Sequence, residues 1–132
     1  MRVWSVRDGA ELLRFSYDDR GIAVAFSKEG GRLVSAGMDR TARVWDLATR
    51  RELHRLSGHG DTVESCAFSA DGERVMTAAD RAIRFWSTRT GALLDVQRSA
   101  GSLSAVAIDA HFHQLIQAGW EARVQRVDPP GW

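Results

Sequence analysis

Cys66 is the one cysteine in the chain, so no disulfide can form within it and no cysteine zinc cluster can be built. Proline is scarce, with 2 residues, and with 12 glycines the composition is not that of a collagen-like or low-complexity chain. No charge of one sign dominates: 18 Lys plus Arg face 17 Asp plus Glu, a formal charge of +1. That balance removes any general electrostatic reason to bind nucleic acid or an anionic membrane. The absence of an apolar run of about 18 residues excludes a membrane-spanning helix. The opening MRVWSVRDGAELLRF lacks the apolar centre of a secretory leader, so a cytoplasmic location is the expectation. What is present, 44% hydrophobic and 27% charged residues over 132 positions, is the composition of one ordinary domain with a substantial core.

Repetition carries most of the information. Trp4, Trp45 and Trp86 recur at 41-residue intervals inside RVWSVRDGAELLRF, RVWDLATRRELHRL and RFWSTRTGALLDV. A second stretch recurs at nearly the same interval: AVAFSKEGGRLVSAGMDRTARVW aligns with SCAFSADGERVMTAADRAIRFW, and a weaker third copy reads AVAIDAHFHQLIQAGWEARVQRV. Periods of about 40 residues suit a four-stranded propeller blade or a helical-pair solenoid. Local texture decides for strands, because short Val, Phe, Leu and Ile runs are broken by KEGG, GMDR, ATRR, SADG and TRTG, and no amphipathic stretch is long enough for a helix.

Thirteen strands are predicted: 1–6, 11–16, 21–27, 32–36, 41–47, 51–57, 62–69, 73–78, 82–87, 92–98, 103–109, 114–118 and 122–127. Gly30-Gly31 and Asp71-Gly72 suit tight hairpin turns, where glycine accepts a positive φ without a Cβ clash. The expected fold class is all-β, with about three four-stranded units arranged as blades. The expected organisation is one repeat region over 1–132, with units near 1–16 (partial), 17–57, 58–98 and 99–132 (partial and degenerate).

With Gly58-His59 as its best unit start, AFS-x-DG within it and Trp45-Asp46 as its best unit end, the chain resembles the WD40-repeat family of β-propellers. Departures include Tyr17-Asp18 where Gly-His should stand, Ser87 after Trp86, and Gln125 at the last tryptophan position. The resemblance implies a buried hydrogen-bond network made by His59, Thr77, Asp80 and Trp86, with Ser35, Asp39 and Trp45 as the reduced set in the preceding unit. Such a set is chemically coherent, since an imidazole can donate to a carboxylate and engage a hydroxyl while an indole N–H supplies a further donor. A nucleophile relay is the competing reading of the same residue types, but recurrence at the repeat period and the lack of an oxyanion device argue for structure. The last unit keeps at most Gln117 and Glu121. Removing the Asp80 carboxylate is expected to cost about 1 to 3 kcal/mol.

Other candidates read as structural. His111 and His113 stand two apart with no third ligand nearby, so no metal is expected. Cys66 occupies the repeat position of Val24 and Val106 and reads as a small buried hydrophobe. Gly9, Gly72 and Gly91 lie in turns and do not form a phosphate loop. No cofactor is expected.

The resemblance further implies a protein-binding scaffold whose narrow face is formed before the innermost strands, at Arg20, Thr62 and Ser102, and in the loops at Met38 and Trp120. Ile22, Glu64 and Ser104 lie one step into those strands. Trp120 is either an anchor for a partner or the filler of a gap in a degenerate blade. Protein is the expected partner class, with no specific nucleic acid, no membrane and no enzymatic activity. Propellers close with about four to eight blades. About three units therefore point either to further blades of a longer chain or to self-association, with a dimer of about six blades as the simplest closed ring. Completion of the C-terminal unit by strand 11–16 is a third arrangement.

Overall fold

The computed structural model describes residues 1–16, 20–99 and 103, together with the backbone of the strands at 105–108, 114–118 and 123–126. Among the described residues thirteen strands fall into four sheets, with hairpins joining the consecutive strands inside each sheet. β1 (Arg2–Trp4) and β2 (Glu11–Arg14) form a two-stranded sheet. β3 (Gly21–Phe26), β4 (Arg32–Gly37), β5 (Ala42–Asp46) and β6 (Arg51–Leu56) form the first four-stranded sheet, in chain order. β7 (Ser65–Phe68), β8 (Arg74–Ala79), β9 (Ala82–Ser87) and β10 (Leu93–Arg98) form the second. β11 (Ala105–Ile108), β12 (Gln114–Ala118) and β13 (Arg123–Arg126) form a three-stranded sheet. Every pairing is antiparallel, as two- to six-residue hairpin connections require.

The two complete sheets repeat each other in register. Leu33 faces Trp45 and Ser35 faces Arg43 across β4 and β5, just as Val75 faces Trp86 and Thr77 faces Arg84 across β8 and β9. These middle strands are buried on both faces, which is why RLVSAG, ARVWD, RVMTAA and AIRFWS read as nearly continuous apolar runs instead of clean alternation. The intervening turns are built as expected: Gly30 and Gly72 sit at φ 74° and 70°, and the Ser27 and Ser69 hydroxyls accept the Arg32 and Arg74 N–H groups at 3.0 Å.

Sheets pack face to face. Val34, Ala36, Ala42, Val44 and Leu56 of the first sheet meet Val63, Cys66, Val75, Ala79 and Trp86 from the second unit. The opposite face of the second sheet packs Met76, Ala78, Ile83 and Phe85 on Leu103. Leu13 and Phe15, from β2 and just after it, cover Leu33 and Trp45, with the Phe15 and Trp45 rings 4.4 Å apart. Contact between sheets runs through their first strands, with β7 lying against β3 and β4 on one side and β11 on the other. First strands gathered together and last strands apart make radial blades around an unclosed arc.

Several strand expectations were too long, two of them for a visible local reason. The strand expected at 1–6 ends at Trp4, because Ser5 and Gly9 close a turn through Ser5 N–H to Ala10 O at 2.8 Å and Gly9 N–H to Ser5 O at 2.9 Å. The strand expected at 62–69 starts at Ser65, because Val63 N–H is drawn across to Gly37 O of the first sheet at 3.2 Å. The arrangement in which residues 11–16 complete the C-terminal sheet is also corrected: among the described residues, β2 pairs with β1 and packs on the first blade.

Candidate functional site

Beneath one rim of the arc lies a polar cluster in an otherwise apolar core. Trp86 Nε1 donates to Thr77 Oγ1 at 2.8 Å, and Thr77 Oγ1 lies 2.8 Å from His59 Nε2. The other imidazole nitrogen, Nδ1, is 3.1 Å from the backbone carbonyl of Arg40. A carbonyl only accepts, so these partners assign the proton to Nδ1 and leave Nε2 to accept from the Thr77 hydroxyl. The chain of donors thus runs from the Trp86 indole through Thr77 and His59 to Arg40, tying the core of the second blade to a loop of the first. Burial pushes the His59 imidazole down to about 4, with the nearby Arg84 charge adding to the effect. It is therefore neutral at physiological pH, as this donor order requires.

Asp80 joins the cluster by a different route from the one its residue type invites. Its carboxylate accepts the Gly60 N–H at 2.9 Å and the Arg84 guanidinium at 2.7 and 3.1 Å, instead of taking a proton from the imidazole. The reason is local: His59 Nδ1 is engaged by Arg40, and Arg84 projects from β9 four residues after Asp80. The hydrogen bond from Arg84 holds the Asp80 carboxyl below the usual range. Asp80 and Arg81, at φ 46° and 60°, form the two-residue turn that brings β8 into β9, a backbone shape that suits the twist of a tight hairpin.

The first blade holds the reduced set. Trp45 Nε1 donates to Ser35 Oγ at 2.8 Å, and Asp39 accepts from Thr41 Oγ1 at 2.9 Å and from Arg43 at 2.7 Å. Arg43 is buried and paired with Asp39 as Arg84 is paired with Asp80. These two ion pairs escaped the sequence reading, although a signal existed: DRTAR and DRAIR place Asp and Arg four apart at the same point of both repeats.

Above the cluster, the chain brings several expected rim residues together. Met38 N–H bonds to Arg20 O at 2.9 Å, and Gly37 bonds to Val63 beside Thr62, so Arg20, Met38 and Thr62 lie along one continuous edge. Arg20 and Glu64 are exposed, Thr62 is half-buried, and Met38 and Ile22 are 45% and 41% exposed. The edge thus presents an apolar centre between a cation and an acid. Ser102, Ser104, His111, His113, Trp120, Glu121 and the Tyr17-Asp18 pair lie outside the described residues, and Gln117 is described by its backbone alone.

Nothing in this cluster resembles a reactive centre. The Thr77 hydroxyl is shut in with Trp86 and His59, and no group of three metal-ligating side chains occurs among the described residues. A cleft lined by Glu11, Leu12, Leu13, Arg14, Phe15 and Arg50 has its carboxylate already held by Arg14 at 2.8 Å. Burial pushes the Cys66 thiol up to about 12, beneath Val34. We expect Cys66 to be silent toward a thiol reagent at pH 8 in the folded chain and to react fully in urea; rapid modification of folded protein would contradict this packing.

Comparison with known proteins agrees with this geometry. A family model described as "WD domain, G-beta repeat" matches residues 10–46 and 50–87. Apoptotic protease-activating factor 1 of Rattus norvegicus is 32% identical over 96 residues, 71% of this chain and 8% of that protein. A guanine nucleotide-binding protein subunit beta of Schizosaccharomyces pombe is 31% identical over 90 residues, 66% of this chain and 29% of that protein. The chain therefore spans less than a third of either relative. The β-propeller domain of Myceliophteria thermophila Cps50 (Swd1) superposes with a TM-score of 0.76 at 21% identity, over 88% of this chain and 37% of that one. With repeat period, sheet register and family match in accord, the chain belongs to the WD40 family.

Proposed function

We propose that this chain is a non-catalytic, protein-binding scaffold whose rim at Arg20, Met38, Thr62 and Glu64 receives a protein partner. The observation that carries the reading is the bracing of that rim: His59 to Arg40 and Val63 to Gly37 join the loops of two blades from below. A pre-ordered surface loses little freedom on binding, and an exposed methionine flanked by charges offers an apolar anchor inside a polar border. Two relatives bear names that place them in assemblies, one as a receptor-associated protein and one as a subunit. A second reading, a structural module that completes a propeller, draws on the two- and three-stranded sheets at the ends of the arc.

The test is quantitative affinity capture with the wild-type chain, a Met38→Asp/Arg20→Glu variant, and a Val6→Asp variant as the off-rim control. Proteins bound through the rim should fall by about tenfold or more with the double variant and be unchanged with the control, the usual scale for loss of an interface anchor. An identical captured set for all three would reject the rim as the binding face.

A further inference from the structure

One turn recurs three times, leading into the outermost strands β2, β6 and β10. Its left-handed position is Gly9 at φ 71°, Arg50 at φ 60° and Gly91 at φ 72°, each 41 residues from the next. Glycine takes that shape without a steric penalty, whereas a side chain there is uncommon and costs stability. Available space decides where a side chain fits at all. A Cβ added at Gly91 would stand 2.8 Å from His54 Nδ1, so that turn has no room for one. Leu13 holds the repeat position of His54, and beside it the Arg50 side chain is accommodated.

Arg50 closes one side of a cleft of about 360 Å³ that runs along β2, past Glu11, Leu12, Leu13, Arg14 and Phe15. Leu13 and Phe15 are buried and give it an apolar floor, while Leu12 stands half exposed in its wall. The Glu11 carboxylate is already committed: it accepts from Arg14 at 2.8 and 3.1 Å and lies 3.7 Å from Arg2. No hydrogen bond or ion pair of the Arg50 guanidinium occurs among the described residues. One carboxylate thus faces three arginines, and the cleft keeps a surplus of positive charge. The outer edge of β2 runs beside it, open in the same way as those of β6 and β10, the outermost strands of the complete sheets.

We propose that this cleft receives an acidic residue from an extended segment of a partner protein. The segment's backbone pairs along the outer edge of β2, its carboxylate meets the Arg50 guanidinium, and a neighbouring aliphatic side chain lies on Leu12. A carboxylate is the matching group because the planar guanidinium fork binds it through two parallel N–H donors, and the apolar floor beneath strengthens that pair by keeping water from one side. The cleft volume suits one side chain with its adjoining backbone and nothing larger. On this reading the stability given up by an arginine in a left-handed turn is offset in the complex.

The probe is a fluorescein-labelled peptide of sequence TVEVT, titrated against the full chain by fluorescence anisotropy. Saturable one-to-one binding is expected, weakened about tenfold or more by Arg50→Gly or by glutamine in place of the peptide's glutamate. Arg89→Gln removes an equal charge from the third turn and should leave binding unchanged. Arg50→Gly restores the residue of the other two turns, so it should unfold at a higher urea concentration than wild type while losing the peptide, a combination that general damage to the fold does not give. Hydrogen exchange on the wild-type chain gives an independent reading, since bound peptide should slow the amides of Glu11–Arg14. Absence of saturable binding, equal binding by Arg50→Gly or by the glutamine peptide, or unchanged exchange at β2 would overturn the proposal. So would displacement of the peptide by free N-acetylglutamate at a matching concentration, since a small acid would then be the occupant.

Discussion

Replacing Thr77 with valine should lower the free energy of unfolding by about 2 to 4 kcal/mol, although the two side chains are nearly the same size. The hydroxyl is fully buried and serves two partners at once, accepting from the Trp86 indole and donating to His59 Nε2, both at 2.8 Å. Valine leaves a buried indole N–H without an acceptor and a buried imidazole nitrogen without a donor. Each orphaned group costs about 1 to 3 kcal/mol in a buried setting. Thr77→Ser keeps the hydroxyl and should recover most of the loss, leaving roughly the 1 kcal/mol due to a deleted methyl. Ser35→Ala should cost about 1 to 2 kcal/mol, because it leaves the buried Trp45 indole N–H without the Ser35 acceptor. Asp80→Ala should fall near the low end of its sequence-based range, about 1 kcal/mol, because its partners lie at the partly exposed rim and water can replace the carboxylate. Urea unfolding of the four variants tests the order. Thr77→Val matching wild type, or Asp80→Ala costing more than Thr77→Val, would refute the donor chain.

The blades were legible because their pattern repeats. Thirteen strands and four-stranded units follow from tryptophans at a fixed interval and from turn residues between them, and local sequence is enough to fix where hairpins reverse. Partner choice inside the network was not equally legible. Residue types place an imidazole, a carboxylate and a hydroxyl in one neighbourhood, but the carboxylate goes to Arg84 and Gly60 because the imidazole reaches across to a carbonyl of the neighbouring blade. That contact joins residues 19 apart in two different loops, and no spacing rule reports it. Exposure was illegible for a similar reason. AVAF and SCAF carry the same pattern, yet Phe26 is exposed and Phe68 is packed against the core, because burial in a radial fold depends on the next blade and not on the strand itself.

Acidification from pH 7 toward 4 should destabilise the chain by on the order of 2 kcal/mol through His59 alone. An ordinary histidine titrates near 6.5, and burial lowers this one to about 4. Between those values the unfolded chain binds a proton that the folded chain refuses, so stability falls as pH falls through that window and the loss levels off below the folded value. Each unit of displacement is worth about 1.4 kcal/mol, and some solvent access at the rim reduces the full amount. The donor order explains the refusal. With Nδ1–H given to Arg40 and Nε2 accepting from Thr77, a second ring proton would have to break the Thr77 bond, beside the positive charge of Arg84. Asp71 and Asp80, both lowered, act in a separate range: their contribution is complete above the ordinary carboxylate pKa near 4 and is lost as pH falls through their folded values. Urea melts at pH 7.5, 6.5, 5.5 and 4.5 separate the two effects, since the carboxylates remain ionised over most of that series. His59→Gln should be less stable than wild type at pH 7.5, and its stability should change much less between pH 6.5 and 4.5, so the two curves converge as the medium is acidified. Parallel curves would show that His59 is not the group that titrates, and a wild-type chain that gained stability on acidification would reverse the sign of the argument.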